Sequence, residues 1–197
     1  MADKTMIRAN AVALRISITD RCDLRCVYCM PVTGLAKFPR EKILSFEHII
    51  RFVSIIQTHF ELAKIHITGG EPLVRANLTE LVLALARETP VDMALTTNGQ
   101  RLAEMAGDLR RAGLRRVNIS LDSLRPETFA RLTRGGNLAR TIAGIQTARR
   151  EGLNPIKLNT VVMQGDNDGE LSDFVHFALE NACQIRFLEL MPIGCAK

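Results

Sequence analysis

The sequence lacks tryptophan and has a single tyrosine, Tyr28, so aromatic residues make up only 5% of its 197 positions. Side chains on which bases could stack are therefore scarce, which argues against a surface for single-stranded nucleic acid. Pairs of neighbouring arginines, at 110–111, 115–116 and 149–150, are interpreted as solvated helix faces. Nucleic-acid binding is accordingly not expected, despite a net charge of +5.

Long apolar segments are missing as well. No run approaches the roughly 20 residues that span a bilayer, and residues 1–10 contain no apolar stretch typical of a secretory signal. We therefore expect a cytoplasmic protein without a membrane partner, in a compartment where thiols stay reduced. Five cysteines in such a protein indicate a metal or redox role rather than a disulfide framework.

Short strand-like runs alternate with longer helical patterns along the chain. This alternation predicts a parallel sheet with right-handed connections, because parallel strands need a crossover between them. The length suits one domain with a hydrophobic core, and no linker or repeat divides it. Strands are predicted at 13–19, 64–68, 92–97, 116–122, 156–163 and 184–191, and helices at 45–59, 77–88, 101–112, 138–151 and 170–181.

Each predicted strand has one polar and one apolar face. In the second strand, Lys64, His66 and Thr68 alternate with Ile65 and Ile67. A doubly wound sheet is covered by helices on both sides and should be apolar on both faces. Six strands are too few for a closed eight-stranded barrel. The expected fold class is therefore α/β, a partial (βα)6 TIM barrel whose parallel strands curl around a polar interior, with the helices outside.

Three cysteines, Cys22, Cys26 and Cys29, follow the first predicted strand with the spacing Cys-x3-Cys-x2-Cys. Their loop should lie at the carboxyl ends of the strands, where barrel active sites form. A closed zinc site and a fully ligated [4Fe–4S] cluster each take four ligands, so three thiolates leave one position open. Spacing alone leaves two interpretations: an iron–sulfur cluster with an open iron, or zinc with a remote fourth ligand.

The cysteine spacing, with an aromatic residue directly before the last cysteine, resembles that of the radical S-adenosylmethionine (radical SAM) superfamily. Within it, the chain resembles the GTP 3',8-cyclases of molybdenum cofactor biosynthesis. The other matching segments are 14–21, 67–73, 95–99, 118–123, 157–159 and 185–191. The resemblance implies a lyase that acts on GTP, with an electron donor and a downstream molybdopterin-pathway enzyme as partners. It leaves a homodimer open.

The resemblance also implies the roles of individual residues. Cys22, Cys26 and Cys29 are expected to hold three irons of one [4Fe–4S] cluster, and the fourth iron is expected to bind SAM. The positions expected to contact SAM are Tyr28, through its backbone, Gly70, Ser120 and Met191. Those expected to contact GTP are Arg15, Thr96 and Lys157.

Four cations, Arg15, Lys64, Lys157 and Arg186, fall on the polar faces of the predicted strands. Burying that many like charges is costly without an anion, and a nucleoside triphosphate would supply one. Lys64, His66 and Arg186 are therefore further candidates for GTP contacts. His66 stands where the resembling family has an arginine, and a neutral histidine is a weaker anchor for a triphosphate.

The resembling family has a C-terminal segment with three more cysteines, which hold a second cluster, and we expect this chain to lack that segment. Cys183 is expected to be a small buried residue, and Cys195 a free thiol. The whole chain, 1–197, is thus expected to be a single radical SAM core domain. Two rival hypotheses remain: a single-cluster radical SAM enzyme with another substrate, and a zinc-stabilised binding domain without catalytic activity.

Overall fold

The computed structural model describes residues 11–191, which contain a six-stranded sheet. All neighbouring strands run parallel, and they follow one another in the sheet in the order in which they occur in the sequence. A doubly wound sheet reverses its strand order at a switch point, and this sheet has no reversal between its first and sixth strands. The strands are β1 Val12–Ser17, β2 Leu62–Thr68, β3 Asp92–Thr97, β4 Arg116–Ser120, β5 Ile156–Val162 and β6 Gln184–Glu189.

One or two α-helices connect each pair of successive strands. The residues at the helix ends suit their positions: Ser45 Oγ accepts a hydrogen bond from His48 N, Pro126 begins a helix, and Gly113 ends one with a φ of 114°. The helices are α1 Phe46–His59, α2 Leu78–Glu88, α3 Leu102–Ala112, α4 Pro126–Thr133, α5 Leu138–Arg150 and α6 Leu171–Glu180, with short 3₁₀-helices at Arg40–Lys42, Pro72–Val74 and Asp168–Glu170.

Helix α4 is the one α-helix within residues 11–191 that the sequence pattern did not predict. It spans eight residues, too few to show a helical period clearly, and an isolated helix of that length is not stable in water. Tertiary packing supports it instead, because Phe129 and Leu132 are almost fully buried.

The predicted division of the sheet into a polar and an apolar face is confirmed. On the apolar face Ile65, Ile67, Val117 and Ile119 are completely buried among the helices. Burying a side chain of this size stabilises the fold by about 1.5–3 kcal/mol. The part of the chain that the structure describes contains no helix with both the length and the apolar character needed to cross a bilayer.

The polar face shows that the sheet curls. Arg15 on β1 and Arg186 on β6 belong to the two outermost strands, yet they line the same cavity of about 430 Å³. In a flat sheet of six strands those edges would be about 24 Å apart. The predicted partial (βα)6 barrel is therefore confirmed.

Candidate active site

The cysteine loop follows β1 at the carboxyl ends of the strands, a region that we call the rim. Within the loop, Cys29 N donates a hydrogen bond to Cys26 O at 2.9 Å, which forms a tight turn between the last two cysteines. The loop rests on the end of α4, because Arg25 N donates to Thr133 O at 3.1 Å and Val27 N to Leu132 O at 2.9 Å. The helix that the sequence did not predict therefore holds the three cysteines in place.

The three thiols are close enough to influence one another electrostatically. Burial raises the pKa of Cys22 to about 11 and that of Cys26 to about 12. Both side chains are therefore thiols rather than nucleophilic thiolates until a metal displaces their protons.

The three cysteines of the loop are the candidate metal ligands at the rim. Between residues 11 and 191, no three possible metal ligands are grouped as they would be around a single ion. A cubane cluster instead takes one thiolate on each of its irons. The three thiols of the loop match the number of thiolates that a cluster with one open iron requires. Cys183 is half-buried rather than fully buried as expected, and Cys195 lies outside the described residues.

Two glycines at the end of β2 bring the rim segments together. A Cβ atom on Gly69 would lie 2.6 Å from Thr19 O, and one on Gly70 would overlap the backbone carbonyl of Arg21. Gly70 N donates to Thr19 O, and the next residue, Glu71, donates from its backbone nitrogen to Arg21 O, both at 2.7 Å. The glycines therefore allow close contact with the start of the cysteine loop, a role separate from the predicted contact of Gly70 with SAM.

Glu71 is 1% exposed and joins three parts of the rim. Its Oε1 accepts hydrogen bonds from Leu73 N at 2.9 Å and Thr97 Oγ1 at 2.7 Å, and its Oε2 accepts from Asn98 N at 2.6 Å. Asn98 Nδ2 donates in turn to Asp23 Oδ1 in the cysteine loop at 2.7 Å. Burial raises the pKa of Glu71 to about 6, although these donors favour the carboxylate. Since both its oxygens already have partners in the chain, Glu71 positions the rim.

Tyr28 connects the cysteine loop to the far side of the rim. Its hydroxyl donates to Asp122 Oδ2 at 2.7 Å, and Asp122 Oδ1 accepts from Val161 N at 2.9 Å. Asp122 is 2% exposed, and burial raises the pKa of its carboxyl. Burial also raises the pKa of Tyr28, and the nearby Asp122 raises it further, so the phenol stays protonated and donates. The side chain of Tyr28 thus anchors the loop, while its predicted backbone contact with SAM stays a prediction.

The remaining positions predicted to contact SAM also belong to the rim. Ser120 is the last residue of β4 and is half-buried, whereas Met191 follows β6 and is 57% exposed. Together with Tyr28 and Gly70, they lie at or beyond the carboxyl ends of four different strands. The fold thus brings these residues to one end of the sheet, and their roles stay predictions.

A second group of predicted residues lines the cavity on the polar face of the sheet, which we call the cation bowl. Its volume of about 430 Å³ lies in the usual range for small-molecule sites. Thr68, one residue before Gly69, also lines it, so the cation bowl reaches the rim. Every residue predicted to contact GTP lines this cavity: Arg15, Lys64, His66, Thr96, Lys157 and Arg186.

Arg116, at the start of β4, is a further cation of the bowl, so the interpretation of the pair at 115–116 as a solvated helix face is wrong for this residue. The two-residue period could have found it, since Arg116, Asn118 and Ser120 share one face of that strand. The charges in the bowl affect one another: burial and then the neighbouring cations, led by Arg186, lower the pKa of Lys157.

His66 lies among hydrogen-bonding groups in the cation bowl. Its Nε2 is 2.6 Å from Thr96 Oγ1 and 3.2 Å from Asn118 Nδ2. Burial lowers the pKa of His66, and the charge of Arg15 lowers it further. His66 is therefore a neutral hydrogen-bonding group at pH 7.

A larger cavity of about 710 Å³ lies between the loop after β1, the start of α1 and the segment before α2. Its most enclosed cation, Arg75, donates hydrogen bonds to Ile18 O and Leu44 O and lies 4.3 Å above the ring of Phe46. Arg75 is thus engaged by the chain itself. Size alone would favour this larger cavity as a ligand site. Because its enclosed cation already has partners in the chain, the cation bowl is the better candidate for an anionic ligand.

Comparison with known protein families places this geometry in context. The model of the radical SAM superfamily matches residues 16–178, which include β2 to β5 and all three loop cysteines. The chain belongs to the radical SAM superfamily. Membership favours an iron–sulfur cluster over the zinc site that cysteine spacing alone left open.

Curated relatives of the chain include proteins named GTP 3',8-cyclase. That of Listeria welshimeri is 50% identical over 184 residues, and that of Petrotoga mobilis is 48% identical over 182 residues. These alignments cover 93% and 92% of this chain, but 55% and 56% of the relatives. The chain thus spans about half the length of the curated relatives that it matches.

Solved structures of radical SAM enzymes share the fold. Streptococcus suis SuiB bound to S-adenosylmethionine aligns with a TM-score of 0.75 at 19% identity, covering 92% of this chain and 41% of that one. Escherichia coli coproporphyrinogen III oxidase, HemN, a radical SAM enzyme, aligns with a TM-score of 0.65 at 12% identity, covering 92% and 44%. At these identities the likeness establishes the architecture alone.

Proposed function

We propose that this chain is the radical SAM core domain of a GTP 3',8-cyclase, which converts GTP to (8S)-3',8-cyclo-7,8-dihydroguanosine 5'-triphosphate in molybdenum cofactor biosynthesis. One observation carries the proposal: the three positions assigned to GTP by resemblance line a single cationic cavity that reaches the cysteine loop's end of the sheet, together with the three further candidates Lys64, His66 and Arg186. The identity of about 50% to cyclases of that name supports the same assignment.

The cofactors of this function are one [4Fe–4S] cluster, held by Cys22, Cys26 and Cys29 with one iron open, and SAM. When bound, they supply the one-electron cleavage of SAM that generates a 5'-deoxyadenosyl radical. The chain orients the cysteine loop through the end of α4 and through Tyr28 and Glu71. The proposed contacts with SAM are made by Tyr28, Gly70, Ser120 and Met191.

The cation bowl binds the substrate in this proposal. Arg15 and Lys157 hold the triphosphate, with Lys64 and Arg186 beside them, because a polyanion offsets the repulsion among these charges. Thr96 and the neutral His66 supply hydrogen bonds rather than charge. Fixing the phosphates in this way presents the ribose towards the rim, where SAM is bound. Such positioning of two reactants accounts for much of the rate of an enzymatic reaction.

The test is an anaerobic reaction with SAM and a strong reductant, with and without GTP labelled with deuterium at C3'. We expect about four irons per chain, 5'-deoxyadenosine that carries the deuterium, and the cyclised triphosphate. SAM cleavage that ignores GTP would disprove the GTP assignment and leave a radical SAM enzyme with another substrate. About eight irons per chain would contradict the proposal of a single cluster.

A different phosphate ester is the second candidate substrate. The observation that favours it is His66, which is neutral and already bonded to Thr96 and Asn118, so it adds no charge with which to hold a triphosphate. Replacing GTP with other nucleoside phosphates in the same assay separates the two candidates. The substrate that raises 5'-deoxyadenosine formation most is the natural class.

The proposed function requires two further partners. An electron donor must reduce the cluster, and a downstream enzyme of molybdopterin synthesis must consume the cyclised product. A cytoplasmic location follows from the need to keep the three ligand thiols reduced. The sequence left open whether the chain forms a homodimer. Sedimentation velocity of the cluster-loaded chain measures its oligomeric state.

A further inference from the structure

The cation bowl contains a fifth cation, Arg116, to which the resemblance gives no role. Its side chain is 21% exposed where it lines the cavity. Its Nη2 donates to Asp92 Oδ2 at the start of β3. Its Nε, in contrast, is buried and has no hydrogen-bond partner. The chain therefore meets only part of the hydrogen-bonding demand of this guanidinium.

Unsatisfied buried atoms single out this cavity. Across residues 11–191, the buried side-chain nitrogen and oxygen atoms without a partner are Arg116 Nε and Asn159 Oδ1, and both residues line the cation bowl. Leaving such atoms unpaired is costly, and native proteins seldom do so without a reason. One atom donates and the other accepts. A ligand that satisfies both must offer an anionic oxygen and a hydrogen-bond donor, and a phosphorylated sugar offers both.

The charges lead to the same ligand class. Among the ion pairs of the described residues, only the pair of Arg116 with Asp92 includes a cation of the bowl. The other four lining cations have no acidic partner there, and no acidic residue is among the described residues that line the cavity. Arg116 is close enough to lower the pKa of both His66 and Lys157. An anion bound among these groups would relieve the repulsion that they exert on one another.

We propose that Arg116, oriented by Asp92, is a further phosphate-binding residue of the cation bowl. A guanidinium presents its donors in a planar fork that matches phosphate oxygens, and here Asp92 occupies only one edge of that fork. His66 is neutral and adds no positive charge at the neighbouring position. Arg116 supplies the positive charge that attracts the phosphate. The inference rests on the proposed function, because it names a contact for the phosphates of that substrate.

The test measures equilibrium binding of GTP and of inorganic triphosphate to the cluster-loaded chain. Arg116→Lys keeps the charge and the pairing with Asp92 but removes the fork, so both ligands should bind about ten- to a hundred-fold more weakly. The matched control is Arg115→Lys, since Arg115 is the exposed neighbour outside the cavity and its substitution should leave both affinities unchanged. Asp92→Asn keeps an acceptor for Arg116 and removes a negative charge beside the phosphates, so binding should be no weaker than in the wild type.

The outcomes separate this inference from the proposed function. Wild-type affinity in Arg116→Lys, or equal weakening in Arg116→Lys and Asp92→Asn, would overturn the inference, because the pair would then only tie β3 to β4. Binding of triphosphate that depends on Arg116, without binding of GTP, would overturn the GTP assignment and support the inference. Wild-type protein that binds neither ligand would overturn both.

Discussion

Buried polar side chains at the rim find partners within the chain, whereas the cation bowl contains buried polar atoms that have none among the described residues. Glu71 and Asp122 are almost fully buried, yet their carboxylate oxygens accept hydrogen bonds from backbone and side-chain donors. In the bowl, Arg116 Nε and Asn159 Oδ1 lack partners, and among the described ion pairs only Asp92 pairs with a lining cation. Both regions are polar, but among the described residues the unpartnered buried side-chain atoms belong to the cation bowl.

The difference agrees with what the proposed function requires of each region. A cluster loop must keep its thiols in one geometry before the metal arrives, and hydrogen bonds to α4 and to buried carboxylates provide that preorganisation. A substrate site must release its ligand after each turnover, so its charges can remain unneutralised until the substrate binds. The rim is therefore expected to be sensitive to changes in packing, and the cation bowl to changes in charge and salt.

The largest effect is expected from Cys26→Ala at the rim. Removing one of three ligands should abolish cluster assembly and SAM cleavage, because no other thiol lies in the loop to replace it. Iron content and 5'-deoxyadenosine formation measure the loss. The matched control is Cys183→Ala, which removes a half-buried thiol outside the loop and should keep both. Retained SAM cleavage in Cys26→Ala would show that the cluster is assigned to the wrong residues.

Gly70→Ala tests how tightly the rim is packed. The new Cβ would overlap the carbonyl of Arg21, and neither backbone can move without breaking the bond from Gly70 N to Thr19 O. We expect a loss of about 1–3 kcal/mol in the free energy of unfolding, typical of overpacking. Denaturant unfolding measures it, with Gly169→Ala as the control because no atom lies within 4 Å of a Cβ there. Equal stability of the two variants would contradict the close contact.

Glu71→Gln tests the buried carboxylate of the rim through pH. The pKa of Glu71 in the folded chain is raised to about 6 from an ordinary value of 4.5, so the folded state holds its proton more tightly than the unfolded state does. The resulting stability is fully present below pH 4.5 and is lost as the pH rises through 6. The loss should amount to about 2 kcal/mol.

Unfolding curves of the two proteins between these pH values isolate this effect, since the other titrating groups are common to both. Wild type should lose stability relative to Glu71→Gln as the pH rises. Parallel pH dependence in the two proteins would mean that the carboxylate is less buried than the structure indicates.

The smallest effect is expected from His66→Arg in the cation bowl. A sixth cation should destabilise the ligand-free chain by on the order of 1 kcal/mol. Added salt should restore part of this lost stability, because it screens the repulsion between the cations. Added triphosphate should restore the stability. The control is His59→Arg at the exposed end of α1, where the added charge meets no cluster of cations. If salt changed the stability of both variants alike, the charges of the bowl would not be coupled.

The sequence by itself determined the architecture and the chemical character of both regions. Alternating polar and apolar residues follow from the two-residue period of a strand, which is local, so the six strands and their polar face were predictable. The cysteine spacing is local as well, and it predicted a metal-binding loop. Residues at strand ends were also predictable, because parallel strands place their carboxyl ends together.

Tertiary structure alone decided how these parts are held and which of them remain unsatisfied. The short helix α4 forms through burial of Phe129 and Leu132, and its support of the cysteine loop joins segments about 100 residues apart. The hydrogen bond from Tyr28 to Asp122 likewise joins residues 94 positions apart. No local pattern encodes such contacts, because they depend on how the sheet curls. For the same reason, only the folded chain shows that Glu71 finds three donors while Arg116 Nε is buried without a partner among the described residues.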